Sequence, residues 1–189
     1  ADADAIVVGP GLTTSPSVGE IVHALMRDAT APVVLAADAL NVLGGDLASL
    51  DGARVPLVIT PHPGEAARLL GCDIGEVIAD RPGAAARLAG ESRVSLLKGA
   101  RTLVAGADRM AVVLAGNAGL ARAGSGDVLA GMIGTLLAQR VAPFDAAVLA
   151  AHLHGRAAEF GTARLTETCF TSVDIVGFLP GAVREVRSG

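Results

Sequence analysis

With only two cysteines in 189 residues, the chain has no means to build a disulfide framework. Cys72 and Cys169 stand in ordinary surroundings, GCDI and TCFT, which predicts a reducing, cytoplasmic setting. Charge is also scarce. Asp, Glu, Lys and Arg make up 18% of the chain, the net charge is −4 and no basic run occurs. Without a basic cluster to release counterions from phosphates, nucleic acids and anionic membrane surfaces are excluded as partners. Long hydrophobic runs are missing too. The longest nearly apolar helix candidate, residues 128–138, is interrupted by glycine and too short to span a bilayer. The opening ADADAIVVGPG lacks the basic-then-apolar order of a secretory leader. No internal repeat, low-complexity tract or linker divides the chain.

What is abundant is small and apolar. Apolar residues make up 51% of the sequence, and there are 24 glycines. That composition excludes disorder and predicts one compact α/β domain whose helices pack closely on both faces of a mostly parallel sheet. Short β-branched runs bounded by Gly or Pro predict strands at 5–8, 33–36, 57–60, 94–97, 102–105 and 110–114. Segments with helical spacing lie between most of them, at 18–26, 64–70 and 82–90. The last two strands, separated by GADR, read as a hairpin. Beyond it the pattern turns helical, at 127–139, 143–160 and 172–187. The chain opens almost directly on a strand and a glycine turn, so further N-terminal structure of a larger domain is expected before it.

Ligands of an open parallel sheet gather at the carboxyl ends of its strands, and four unusual turns fall there. VVGPGLTT places Gly9, Pro10 and Gly11 after a strand, where bare backbone can approach a ligand, although a tight turn explains the same residues. TPHPGE holds His62 between two prolines on a stiff loop, which points to ligand contact. His152 and His154, two apart on a helix, cannot share a face, so they do not read as a metal pair. LLKGART sets Lys98 and Gly99 at a strand end, able to meet a phosphate, although a solvated lysine is the plainer reading. It is not a Walker loop, since no G-x-x-x-x-G-K-[ST] occurs.

The fourth turn, AGSGDVLAG, puts Gly124, Ser125 and Gly126 before a helix starting near Asp127. Free N–H groups and the positive helix end should converge there as an anion site. The dinucleotide fingerprint fails because residue 129 is leucine. Asp127 has two readings. It is either an N-cap, a role that contributes about 1 kcal/mol, or a base placed to take a hydroxyl proton during attack on phosphorus.

In order and spacing, GPGL, DALN, TPHPGE, LKGART, GNAGLARAGSGDVLAG and HLHG resemble the ADP- or ATP-dependent NAD(P)H-hydrate dehydratases, over essentially the whole chain. The resemblance implies a ribokinase-like fold, with residues 1–189 forming a single, N-terminally incomplete domain. It also implies a hydro-lyase that repairs hydrated NADH or NADPH: the ring hydroxyl is phosphorylated, preferably from ADP with Mg²⁺, and phosphate then leaves.

Position by position, it implies that Gly11, His62 and Asp127 contact the hydrate and that Asp127 is the catalytic base. Lys98, Gly99, Ala100, Arg101, Thr102 and Gly126 would hold the nucleotide, and Gly124, Ser125 and Gly126 would receive the moving phosphoryl group. No metal ligand is assigned. A homo-oligomer, with a tetramer possible, and a functional pairing with an epimerase also follow from the resemblance. Thr13 and Ala118 depart from the family's usual GPGLG and GNP. Two other readings compete: a kinase of the same fold acting on a hydroxymethylpyrimidine or thiazole alcohol, and a catalytically silent nucleotide-binding subunit.

Overall fold

The computed structural model describes residues 3–188. Four short strands, β1 (Ile6–Val8), β2 (Val33–Leu35), β3 (Leu57–Ile59) and β4 (Arg93–Leu97), pair in parallel in chain order. They continue into β5 (Thr102–Ala105) and β6 (Met110–Val113), both antiparallel to their neighbours, which completes a six-stranded sheet of order β1-β2-β3-β4-β5-β6. The sequence predicts all six strands and the last hairpin. It does not predict that β4 and β5 are antiparallel. Their connection, residues 98–101, is far shorter than the dozen or so residues that a parallel crossover needs, so only a tight reversal fits.

Helices α1 (Pro16–Asp28), α2 (Asp38–Asn41), α3 (Pro63–Leu70), α4 (Ile74–Ala79) and α5 (Arg81–Leu88) supply one covering layer. Helices α6 (Ser125–Ala138) and α7 (Pro143–Cys169) supply the other, and α8 (Ser172–Ser188) packs outside α7. Strand alternation sorts the cores. Val33, Leu35, Leu57, Ile59 and Leu97 face the first layer, while Val34, Val58, Val94 and Leu96 face α6 and α7. Strands buried on both faces read as continuous apolar runs, which is why they are visible in the sequence.

Two helices differ from expectation. α4 is an extra short helix, started by a capping box of Asp73 and Glu76. α7 runs past 160 to Cys169, interrupted at Thr166, whose φ of 66° leaves the helical region. No described helix is long and apolar enough to cross a membrane.

Candidate functional site

The carboxyl ends of β1 to β4 stand side by side, so the loops that follow them form a row about 14 Å long at roughly 4.8 Å per strand. In the loop after β1, Gly9 has φ of 129°, and a Cβ there would lie 1.6 Å from the Ala36 carbonyl oxygen. That glycine is required by the neighbouring strand. Gly11, with φ of 72°, is different: it is exposed, and a Cβ would meet nothing within 4 Å, so its backbone faces open space. The Thr13 N–H donates to Asp38 Oδ2 at 2.9 Å and ties this loop to α2. Beside it, Ala37 is held at φ 48°, a left-handed strain of the sort that gathers at functional sites.

After β3, His62 is the N-cap of α3. Its Nδ1 accepts the N–H groups of Gly64 at 3.0 Å and Glu65 at 3.3 Å, and its own N–H donates to Glu65 Oε2 at 2.7 Å. The stiffness predicted from the flanking prolines is therefore reinforced by a reciprocal capping box. Because Nδ1 accepts, the proton of the neutral ring sits on Nε2, 3.5 Å from Glu65 Oε1. The ring is half-exposed. Burial, with Lys98 and Arg68 adding to it against the opposing Glu65, holds its pKa below the usual 6.5.

After β4, the Lys98 N–H donates to the Pro61 carbonyl at 2.9 Å and locks this loop to the previous one. Lys98 Nζ lies 3.7 Å from Glu65 Oε2. It also lies 3.2 Å from where a Cβ of Gly126 would be, so glycine at 126 makes room for the ammonium group against the first turn of α6. Arg81 braces the 98–101 turn through its carbonyls: Nη1 donates to Ala100 at 2.5 Å and Nη2 to Leu97 and Lys98 at 3.4 Å each. A Cβ on Gly99 would come within 2.8 Å of Arg81 Nη2. Thr102 Oγ1 donates to the Gly99 carbonyl at 3.1 Å, and Arg101 turns outward at φ 56°.

α6 begins at Ser125, two residues earlier than the sequence predicts. Its N-cap is Gly124 at φ 82°, and no side chain caps it. Fewer N–H groups are free than the glycines suggest, because Ser125 donates to Arg122 at 3.3 Å and Asp127 to Gly124 at 3.1 Å. Among the described residues the Gly126 amide keeps no backbone partner, and the Cα of Gly126 packs on the Lys98 side chain. Asp127 stands in the first turn, exposed, and its carboxylate caps nothing. The capping reading of Asp127 is thus removed, and an unengaged carboxylate is left at the helix end.

The structure brings together Lys98, Gly126 and, through Glu65, His62, with Asp127 on the adjoining turn. Gly11 lies farther along the row. Asn41 and Asn117 are engaged structurally: Asn41 accepts from Arg68, and Asn117 accepts the Gly119 N–H at 3.0 Å. Sequence reasoning missed Glu65, which was legible as the third residue after a helix-capping position, and Arg81, which carries no local signal. Among the described residues no three His, Cys, Asp or Glu side chains converge as metal ligands. Mg²⁺ usually binds through one or two carboxylates together with substrate phosphates rather than in an all-protein cage, and the exposed Asp127 carboxylate is compatible with that setting.

A family model described as NAD(P)H-hydrate dehydratase matches residues 1–175. The ADP-dependent (S)-NAD(P)H-hydrate dehydratase of Neisseria meningitidis serogroup B is 49% identical over 163 residues, covering 84% of this chain and 55% of that protein. The bifunctional NAD(P)H-hydrate repair enzyme Nnr of Moorella thermoacetica is 42% identical over 189 residues, covering 99% of this chain but 36% of its own length. The chain thus spans roughly a third to a half of these curated relatives. An ADP/ATP-dependent NAD(P)H-hydrate dehydratase of Bacillus subtilis, co-crystallized with ATP and Mg²⁺, superposes with a TM-score of 0.82 at 31% identity, covering 97% of this chain and 67% of that one. The fold is accordingly ribokinase-like, as expected. With its strand-end loops and the glycine turn before α6 all inside the matched region, the chain belongs to the NAD(P)H-hydrate dehydratase family.

Proposed function

We propose that this chain carries the ADP-dependent dehydration of (S)-NAD(P)H hydrate back to NADH or NADPH. The observation that carries the reading is the exposed, uncapping carboxylate of Asp127 on a helix turn whose Gly126 packs beside Lys98 and has an amide without a backbone partner among the described residues. In this reading Asp127 takes the proton of the ring hydroxyl as its oxygen attacks the terminal phosphorus of the nucleotide. The O–P bond forms, the phosphoanhydride bond breaks, and AMP departs when ADP is the donor. The ring C–O bond then breaks and phosphate leaves with its bonding pair, while the adjacent ring carbon loses a proton to solvent and that C–H pair becomes the restored ring double bond.

Lys98 and the Gly126 amide offset the charge that develops on the moving phosphoryl oxygens. The 98–102 turn, braced by Arg81, holds the nucleotide, while Gly11 and His62 contact the hydrate. His62, with its proton on Nε2, presents a donor to the substrate end. Mg²⁺ would travel with the nucleotide and neutralise its phosphates. The reading places the enzyme in the cytoplasm as a homo-oligomer working beside an epimerase that supplies the S hydrate.

The test is to incubate the full-length protein with hydrated NADH, Mg²⁺ and ADP or ATP, and to follow the return of dihydronicotinamide absorbance, with Asp127→Asn in parallel. Nucleotide-dependent recovery that falls by about a hundredfold or more in the variant is expected. A well-folded, nucleotide-binding wild type that restores nothing, yet gives a stable phosphorylated alcohol with a vitamin precursor, would overturn the assignment in favour of a kinase.

A further inference from the structure

His154 is a buried titratable group that the proposed reaction does not use. It lies on α7 with 5% of its surface exposed, and its Nε2 stands 3.0 Å from the Ser125 carbonyl oxygen and 3.3 Å from Ser125 Oγ. A carbonyl oxygen only accepts, so Nε2 must carry the proton and Nδ1 must be bare. Burial drives its pKa to about 4; the bond to Ser125 opposes the shift and the nearby Lys98 charge adds to it. The ring is therefore neutral at pH 7, in the one tautomer that can donate to Ser125.

The same stretch of α7 grips the rest of the loop that leads into α6. Glu159 Oε1 accepts the Gly116 N–H at 2.6 Å, and Thr162 Oγ1 accepts from Asn117 Nδ2 at 2.6 Å. Gly155 packs so closely on this loop that a Cβ would lie 2.5 Å from the Ala115 carbonyl. The loop is thus held near its start at Gly116 and Asn117, and at its end by His154 on Ser125. No side chain of α6 caps its own first turn, so the direction of that turn is set from outside.

We propose that His154 is a positioning residue for phosphoryl transfer: its Nε2–H fixes the first turn of α6 through Ser125, and thereby aims the Gly126 amide and the Asp127 carboxylate at one point. This rests on the reading of α6's first turn as the phosphoryl site, given above.

The test uses the full chain with His154→Leu, which removes the donor but keeps the bulk, His154→Gln, which can return an N–H near Nε2, and His154→Asn, whose shorter amide cannot reach. Titration with Mg²⁺ and ADP is read from the amide resonances of Gly126 and Asp127, and kcat for hydrated NADH is measured alongside. We expect Leu and Asn to weaken ADP binding at these amides, and to lower kcat, by about tenfold each, and Gln to restore both to within about threefold of wild type.

A merely structural histidine would lower Tm in all three variants while leaving affinity and kcat of the folded fraction unchanged, and that result would overturn the proposal. If the Leu variant does not fold, the contrast between Gln and Asn decides. If wild type shows ADP-dependent shifts at Gly126 that only Gln preserves, yet restores no NADH, the positioning role stands and the reaction assignment fails. Wild type without shifts at Gly126 and Asp127 would overturn the role.

Discussion

A neutral histidine sealed between two helices becomes a liability in acid. The folded-state pKa of His154 is about 4 against 6.5 for the unfolded chain, so between those values the unfolded state binds the extra proton. Stability contributed by this site is therefore intact above about pH 6.5 and is lost progressively as the pH falls toward 4, to a total on the order of 3 kcal/mol. Urea unfolding at neutral pH and at mildly acidic pH should show this loss in wild type and a clearly smaller one in His154→Gln. An equal loss in both would mean that His154 is hydrated in the folded protein.

Residues of this kind were the least legible in the sequence. Asp127, Lys98 and His62 announced themselves because glycine or proline beside them broke an otherwise apolar pattern. Arg81 and His154 act on partners such as the 98–101 carbonyls and Ser125, which only the fold brings near. Their neighbours in the chain are ordinary helix residues, and a buried polar group in an alanine-rich helix looks like a solvated one until the packing is known. Even His62 was read incompletely, since its role as the cap of α3 depends on a bond to Glu65 that flanking prolines do not reveal.

Among the elements, what surrounds a glycine differs even along one helix: on α6 a Cβ at Gly134 would come within 2.4 Å of Val7 Cγ2, while Gly131 stands open, and on α7 Gly155 is packed as tightly as Gly134. A Cβ on Gly155 would meet the Ala115 backbone at 2.5 Å, whereas a Cβ on the exposed Gly131 of α6 would meet nothing within 4 Å. Gly155→Ala should therefore destabilise the protein by about 2 kcal/mol or more through overpacking. Gly131→Ala should stabilise it by roughly 0.5–1 kcal/mol by removing backbone freedom from the unfolded chain. Thermal or urea midpoints of the two variants check this directly; midpoints shifted in the same direction would refute the packing assigned to α7.

At this scale the sequence was most informative. Strands buried on both faces wrote themselves as apolar runs, and prolines at the first positions of α1, α3 and α7 marked where helices start. Two features went unread. The direction of the β4–β5 pair was left open, although its four-residue connection permits only an antiparallel one. α7 continues past 160 because packing against α8 and Phe170 sustains a segment of weak periodicity.

For the molecule as a whole, the sheet is bound most firmly at its centre. β2, β3 and β4 each have a hydrogen-bonded neighbour on both sides and cores on both faces, whereas β1 and β6 have one neighbour each among the described residues. β6 also leaves Met110 and Val112 exposed at 41 and 51%, and Leu114, just beyond its end, at 75%. Hydrogen exchange read by mass spectrometry should be slowest in β2 to β4 and markedly faster in β1 and β6. Equal protection across all six strands in the isolated chain would show that both edges are covered, by a second copy or otherwise.

The grip of α7 on the loop before α6 also sets an order in time. The bonds that fix Gly116, Asn117 and Ser125 join residues 43, 45 and 29 positions apart, whereas the capping box of α3 closes over three. Long-range closures come late. At about 5–20 residues per second a ribosome needs some seconds to carry the chain from that loop to Thr162. In a nascent chain the residues of the parallel strands, of the first helical layer and of the His62 cap are therefore all present before the contacts that fix the proposed phosphoryl site can close. Until α7 has emerged, the face of the sheet that it covers with α6 stays open and the first turn of α6 stays unheld.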